Sequence, residues 1–227
     1  MKFLKFLLAL CLLPTVFFAL VETSRLFIQV MSQWRLMLLF VGGGCAYALI
    51  HFGCYNFSRW YVLGHEVTHA IAALLCGSRV HDMSVREESG YVKMDKSNAW
   101  IVLAPYVVPG YVILSFLCYL VLDLFMDVAP YRPIFIFMVG FFTAFHWIQT
   151  IKTLTEADQP DLKLAGGKIF SYIIIGLVNL VVLAVVLKGL FPQTISLLAA
   201  GERIVVGSLN VWRILVNYIV EKILNAA

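Results

Sequence analysis

Residues 60–76 read WYVLGHEVTHAIAALLC, and this stretch predicts both the architecture and the chemistry of the chain. His65 and His69 are four residues apart, so a helix through the stretch places both imidazoles on one face, within reach of a single zinc ion. Glu66 lies between them, where its carboxylate can take a proton from a water molecule beside the metal. The pattern predicts a hydrolytic zinc (Zn²⁺) site with His65 and His69 as metal ligands and Glu66 as the catalytic base.

The residues around the motif favour this interpretation over a helix whose histidines and acid merely pack against neighbours. Residues 60–63 and residues 70–76, on either side of the motif, are apolar. Ionisable groups in a lipid-facing or buried helix are costly, and they usually serve a function. We therefore favour a metal site over a structural role.

The composition indicates an integral membrane protein. Of the 227 residues, 62% are hydrophobic and 13% are charged, and the mean hydropathy is +0.90. A soluble domain carries about twice that share of charge. We predict an all-α polytopic membrane protein with about five to six transmembrane helices, lying in a lipid bilayer. The net charge of +4 comes from scattered basic residues, so nucleic acid is not an expected partner.

The chain divides into three predicted regions. Residues 1–35 form an amino-terminal anchor and a polar loop over residues 22–35, and the anchor is expected to stay uncleaved with its amino terminus in the cytoplasm. Residues 36–190 form the membrane core. Residues 191–227 form an amphipathic or membrane-associated tail, either an interfacial helix or a sixth crossing, since charges alternate there with aliphatic residues.

Three local features of the core carry further expectations. The motif helix should end near Gly77. Residues 78–97 contain two short β-like runs around a polar turn, which predicts either a hairpin, whose edge strand can pair with an extended substrate, or a solvated loop. Residues 99–122 are free of charge and carry Pro105 and Pro109, which should bend this run.

The positive charges predict which side of the membrane the motif faces. Lysines and arginines gather in residues 78–97 and in residues 152–168. With the amino terminus inside, both segments fall on the cytoplasmic side, together with the zinc motif.

A catalytic zinc ion usually has three protein ligands and keeps one position for water, so a third ligand is needed. A carboxylate near the end of the crossing over residues 133–151 would reach the correct side of the membrane. The candidates are Asp158, Asp161, Glu156, His81 and His146.

The motif and the residues that follow it resemble the site-2 protease family of intramembrane zinc metalloproteases, in its compact form without a PDZ domain. The resemblance covers about residues 36–187. It rests on His65-Glu66-Val67-Thr68-His69-Ala70, followed by Gly77, Gly90-Tyr91-Val92, Ala104-Pro105, and Asp161 ahead of Gly166-Gly167. The family's third ligand comes from a Leu-Asp-Gly sequence, whereas this chain has Gln159-Pro160-Asp161-Leu162. The resemblance implies Asp161 as the third ligand, with Asp158 as the second choice.

The resemblance implies a zinc metalloendopeptidase that cleaves peptide bonds in or near the transmembrane segments of membrane proteins. The implied location is the inner membrane of a bacterial cell, with a multi-pass chain and an active site toward the cytoplasm. One alternative is a catalytically inactive, protease-like protein that binds and regulates transmembrane partners. Another is a transporter or channel, which would favour internal repeats that the sequence does not show.

Overall fold

The computed structural model describes residues 2–87, 89–156 and 159–225, and nearly all of the regular structure is helical. The helices are α1 Lys2–Val30, α2 Trp34–Gly53, α3 Ser58–Leu75, α4 Ala99–Val107, α5 Gly110–Asp123, α6 Arg132–Glu156, α7 Pro160–Ala165, α8 Lys168–Leu190 and α9 Leu197–Leu224. Strands β1 Val80–Val85 and β2 Gly90–Met94 pair antiparallel. The predicted fold class, an all-α polytopic membrane protein with a small β-hairpin, is confirmed.

Within the described residues, four helical stretches are long and apolar enough to cross a membrane. They are Phe3–Gly53, Ala129–Thr155, Lys168–Leu190 and Leu197–Leu224. The first has 51 residues and comprises α1 and α2, which a short 3-10 turn separates. A fifth span exists if α4 and α5 are taken together; they meet at an angle of 67° around Pro109, as the prolines of this run predict.

Helix α3, which carries the zinc motif, is not among these spans. It has 18 residues, and Arg59, Glu66 and the two motif histidines make it less apolar than the others. It ends at Leu75, and Gly77 follows with a φ of 71°, a left-handed conformation that terminates the helix as expected. The position of α3 within the bilayer stays a prediction.

The chain forms two compact units. One comprises Gln33–Ser171 and contains the motif; the other comprises the residues up to Ser32 and those from Tyr172 onward. The limits at residues 35 and 190 that the sequence suggests for the membrane core stay predictions.

In the unit Gln33–Ser171, α2 and α6 approach each other closely at two glycines. A Cβ atom at Gly43 would lie 1.9 Å from the carbonyl oxygen of Phe137, and one at Gly140 would lie 1.9 Å from that of Phe40. The absence of side chains at both positions lets the two backbones touch, which is how small residues hold membrane helices together. This contact fixes α6, the helix that leads to Asp161.

Two apolar clusters position α3. Ala72 and Ala73 pack against Ile101 and Ala104 of α4, with residues of the hairpin beside them. Near the beginning of α3, Tyr61 packs with aromatic residues of α2 and α6. The motif helix is therefore held between α4, the hairpin and the α2–α6 pair.

In the second unit, α1 packs against α9 through a charged contact. Glu22 is only 2% exposed, and it accepts hydrogen bonds from Arg25 and from Arg203 of α9, each at 2.6 Å. The sequence predicts a polar loop from residue 22, but residues 22–30 continue α1. The two arginines explain the difference, because they neutralise the acid and allow it to be buried within a helix.

We expect Arg203→Ala to destabilise the protein by about 1.5–3 kcal/mol, the typical contribution of a hydrogen bond to a charged group, because a buried oxygen of Glu22 loses its donor. Thermal unfolding in detergent micelles, followed by circular dichroism, measures the change. Arg213→Ala removes an exposed charge from the same helix and serves as the control. Equal unfolding midpoints for the two variants would contradict this role of Glu22.

Candidate metal centre

Helix α3 presents the two motif histidines on one face, as their spacing predicts. Both imidazoles are largely buried, and the side chain of His69 is 10% exposed. The Nδ1 atom of His69 lies 2.9 Å from the carbonyl oxygen of Ile101 in α4. Because a carbonyl oxygen only accepts, Nδ1 carries the proton, and Nε2 keeps its lone pair for a metal.

Helix α7 brings Asp161 to the same place. It begins at Pro160, a residue suited to the first position of a helix, so that Asp161 lies in the first turn. The Oδ2 atom of Asp161 lies 3.4 Å from Nε2 of His69 and 3.7 Å from Nε2 of His65. Tyr106 of α4 donates a hydrogen bond of 3.0 Å to the same oxygen and orients the carboxylate.

These three side chains fit a zinc ion. Their ligand atoms all lie within 4.8 Å of one another. The two distances to Asp161 are long for hydrogen bonds. They are slightly longer than the edge of about 3.3 Å between ligands that lie 2.0–2.1 Å from a tetrahedral zinc ion, so small side-chain shifts would bring all three ligands to the metal. Two imidazole nitrogens and one carboxylate oxygen are an ordinary donor set for catalytic zinc, with the fourth position left for water.

The electrostatic surroundings keep Asp161 ionised. Burial by itself would raise the pKa of its carboxyl, but in the metal-free site the imidazoles of His65 and His69, when they carry a proton on Nε2, outweigh this and hold the pKa well below its usual value. A bound metal takes the place of those protons. A carboxylate that stays charged at neutral pH is ready to bind a cation without first losing a proton.

Glu66 lies beside this cluster and under the hairpin. The residue is 7% exposed, and a Cβ atom at Gly90 of β2 would lie 2.7 Å from the Oε1 atom of Glu66. The close approach requires glycine at position 90. Glu66 also lines a cavity of about 560 Å³, together with His65 and polar residues of α6. The carboxylate thus borders both the metal-binding group and a space that can admit water and a substrate.

The other candidates for the third ligand have different surroundings. His81 of β1 contacts Asp95 instead of the cluster. His146 of α6 is buried and borders a cavity of about 20 Å³ beside His65, roughly the size of one water molecule. Asp158 and the side chain of Glu156 lie outside the described residues.

Tyr106 and the contact between Gly90 and Glu66 are features of the site that the sequence interpretation did not assign. Tyr106 follows Ala104-Pro105 and brings a hydroxyl group into an apolar run, which is the signal that could have marked it. In the sequence, Gly90 looks like a glycine of the hairpin turn. Only the packing of the hairpin on α3 shows that it also leaves room for Glu66.

Comparison with known protein families gives one match. A family described as Peptidase M50B-like matches residues 44–156, about half of the chain. The chain belongs to the site-2 protease family. The matched region includes the zinc motif, the hairpin and α6, and it ends before Asp161. Comparisons with curated proteins and with solved structures gave no match. Membership of this family, together with the apolar helices, makes this member an integral membrane protein.

The geometry predicts zinc at one ion per chain in the purified protein. Asp161→Ala removes one of the three ligands, as do His65→Ala and His69→Ala. Each variant should bind zinc more than about 100-fold more weakly, because mutating residues that only support the ligands already lowers metal affinity by up to about 100-fold. Elemental analysis after dialysis against a graded zinc chelator gives the affinity. Asp123→Ala, at an exposed end of α5, is the control. Unchanged zinc affinity in Asp161→Ala would exclude Asp161 as a ligand.

Proposed function

We propose that this member of the site-2 protease family is an active intramembrane zinc metalloprotease, which hydrolyses peptide bonds in or near the transmembrane segments of other membrane proteins. The proposal rests on one observation: Asp161 lies close to His65 and His69, beside the carboxylate of Glu66. This is the donor set and the base that zinc-dependent hydrolysis needs.

In the proposed mechanism, His65, His69 and Asp161 hold the metal. When bound there, zinc lowers the pKa of a water molecule and polarises the carbonyl group of the substrate. Glu66 accepts the proton of the attacking water and passes it to the nitrogen of the leaving amine. Tyr106 keeps the carboxylate of Asp161 oriented toward the imidazoles.

We propose that β2 holds the substrate. A peptide bond within a helix is shielded, so the segment to be cut must unwind and become extended. The hairpin is a sheet of two strands, and its β2 strand begins at Gly90, in contact with Glu66. A substrate strand paired along Tyr91–Met94 would pass the catalytic base with its main chain held by hydrogen bonds.

We place the protein in the inner membrane of a bacterial cell, with its site toward the cytoplasm. The support is the gathering of basic residues in the hairpin segment and in residues 152–168. Both segments adjoin the cluster: the hairpin touches Glu66, and α7 carries Asp161.

Glu66→Gln removes the base but keeps nearly the same shape, so it should lower the rate of substrate cleavage by about 100- to 10,000-fold, the usual contribution of general acid–base catalysis, while zinc stays bound. Cleavage of a labelled transmembrane substrate by the purified protein, with zinc content measured on the same samples, tests this. Full activity of this variant would overturn the mechanism. A zinc-loaded wild-type protein that cleaves no transmembrane substrate would favour the inactive, partner-binding alternative.

Gly90→Ala should reduce cleavage by about tenfold or more, because the added methyl group meets the side chain of Glu66 and moves either the base or the substrate strand. Zinc content should stay unchanged, since Gly90 does not contact the ligand group. Gly53→Ala is the matched control: it makes the same change at a glycine with open space around it. If both variants cleave the substrate at the wild-type rate, the contact between the hairpin and Glu66 does not contribute to catalysis.

A further inference from the structure

The cavity beside Glu66 has a polar wall that the mechanism does not use. Gln149, Lys152 and Thr153 of α6 line it, and their spacing places them on one face of the helix. Gln159 completes the wall ahead of α7. A cavity of about 560 Å³ is larger than one attacking water requires, and it has room for several atoms of a substrate side chain.

The two amide side chains in this wall are already engaged. Gln149 donates a hydrogen bond of 3.1 Å to the hydroxyl of Tyr47, and Gln159 donates one of 3.0 Å to the carbonyl oxygen of Thr153. They hold the wall together and have less freedom to bind a ligand. Lys152 is the cationic residue among those that line the cavity.

Lys152 has no ionic partner in the part of the protein that the structure describes. No described carboxylate lies within ion-pair distance of it, and it forms no ion pair with Glu66, although both residues line the same cavity. Its side chain is nevertheless partly buried. A partly buried ammonium group at the wall of a cleft attracts an anion more strongly than one in free solution, because the surroundings screen the charge less.

We infer that Lys152 binds a carboxylate of the substrate close to the scissile bond. The inference rests on the proposed protease function and names a specificity for it. The carboxylate is either an acidic side chain of the unwound segment or the free carboxyl terminus of a membrane peptide. When zinc is bound, its two positive charges balance the negative charges of Asp161 and Glu66, so Lys152 supplies the remaining positive charge at the cavity wall.

Four synthetic peptides distinguish the two sources of the carboxylate. Each is a fluorescent, leucine- and alanine-rich transmembrane span with one Gly-Gly pair to permit unwinding. Two peptides carry Glu or Gln two residues after the pair and end in an amide far beyond it. The other two stop two residues after the pair, one with a free carboxylate and one with an amide. Binding is measured by fluorescence anisotropy on the zinc-loaded Glu66→Gln protein in micelles, which does not depend on turnover.

The protein should bind one carboxylate peptide about tenfold more tightly than its neutral partner, in keeping with a hydrogen bond to a charged group. Adding Lys152→Gln should abolish the preference, and adding Lys152→Glu should reverse it. Lys168→Gln, an exposed cation outside the cavity, should leave it unchanged. Whichever peptide pair shows the preference identifies the source of the carboxylate.

Equal binding within both peptide pairs would overturn the inference, as would a preference that persists in Lys152→Gln. Cleavage by the wild-type protein is measured on the same four peptides. If the peptides are cleaved but show no preference for a carboxylate that depends on Lys152, the proposed role of Lys152 is wrong and the protease function stands. A wild-type protein that binds but cleaves none of the four peptides, with zinc present, counts against the proposed function and leaves the binding result to stand.

Discussion

The approach of the Asp161 carboxylate to the imidazoles of His65 and His69 is the contact on which the site depends. Two of these groups lie on α3 and the third on α7, so the cluster exists only if the two helices are held at a fixed distance. Helix α4 provides that connection: its Ile101 carbonyl oxygen accepts from His69, and its Tyr106 hydroxyl donates to Asp161. The short helix α4 therefore orients a ligand of α3 and the ligand of α7.

The remaining parts of this unit set the position of that cluster. The glycine contacts between α2 and α6 fix the helix that leads to α7. Small residues of α3 allow α4 to pack closely against it. The hairpin then lies against Glu66 at Gly90, where any side chain would collide with the base. Each of these contacts uses glycine or alanine, and each loses its geometry if a larger residue is introduced.

Much of the fold follows from local patterns in the sequence. The spacing of His65 and His69, the proline bend between α4 and α5, and the polar turn of the hairpin are all readable within a few residues. The pairing of α7 with α3 is not, because it depends on contacts between distant segments. The sequence alone therefore did not decide which carboxylate is the third ligand. The resemblance to the family ranked Asp161 ahead of Asp158. The continuation of α1 past Glu22 was unforeseen for the same reason, since its partner Arg203 is far along the chain.

The central claim is that two histidines of α3 and one carboxylate of α7 hold zinc. X-ray absorption at the zinc edge of the detergent-purified protein tests it most directly, because it reports the ligand atoms themselves. The account predicts nitrogen and oxygen ligands at about 2.0–2.1 Å, with the scattering pattern of two imidazole rings. Sulfur at about 2.3 Å, which would point to the cysteines, or a spectrum without imidazole scattering would contradict it.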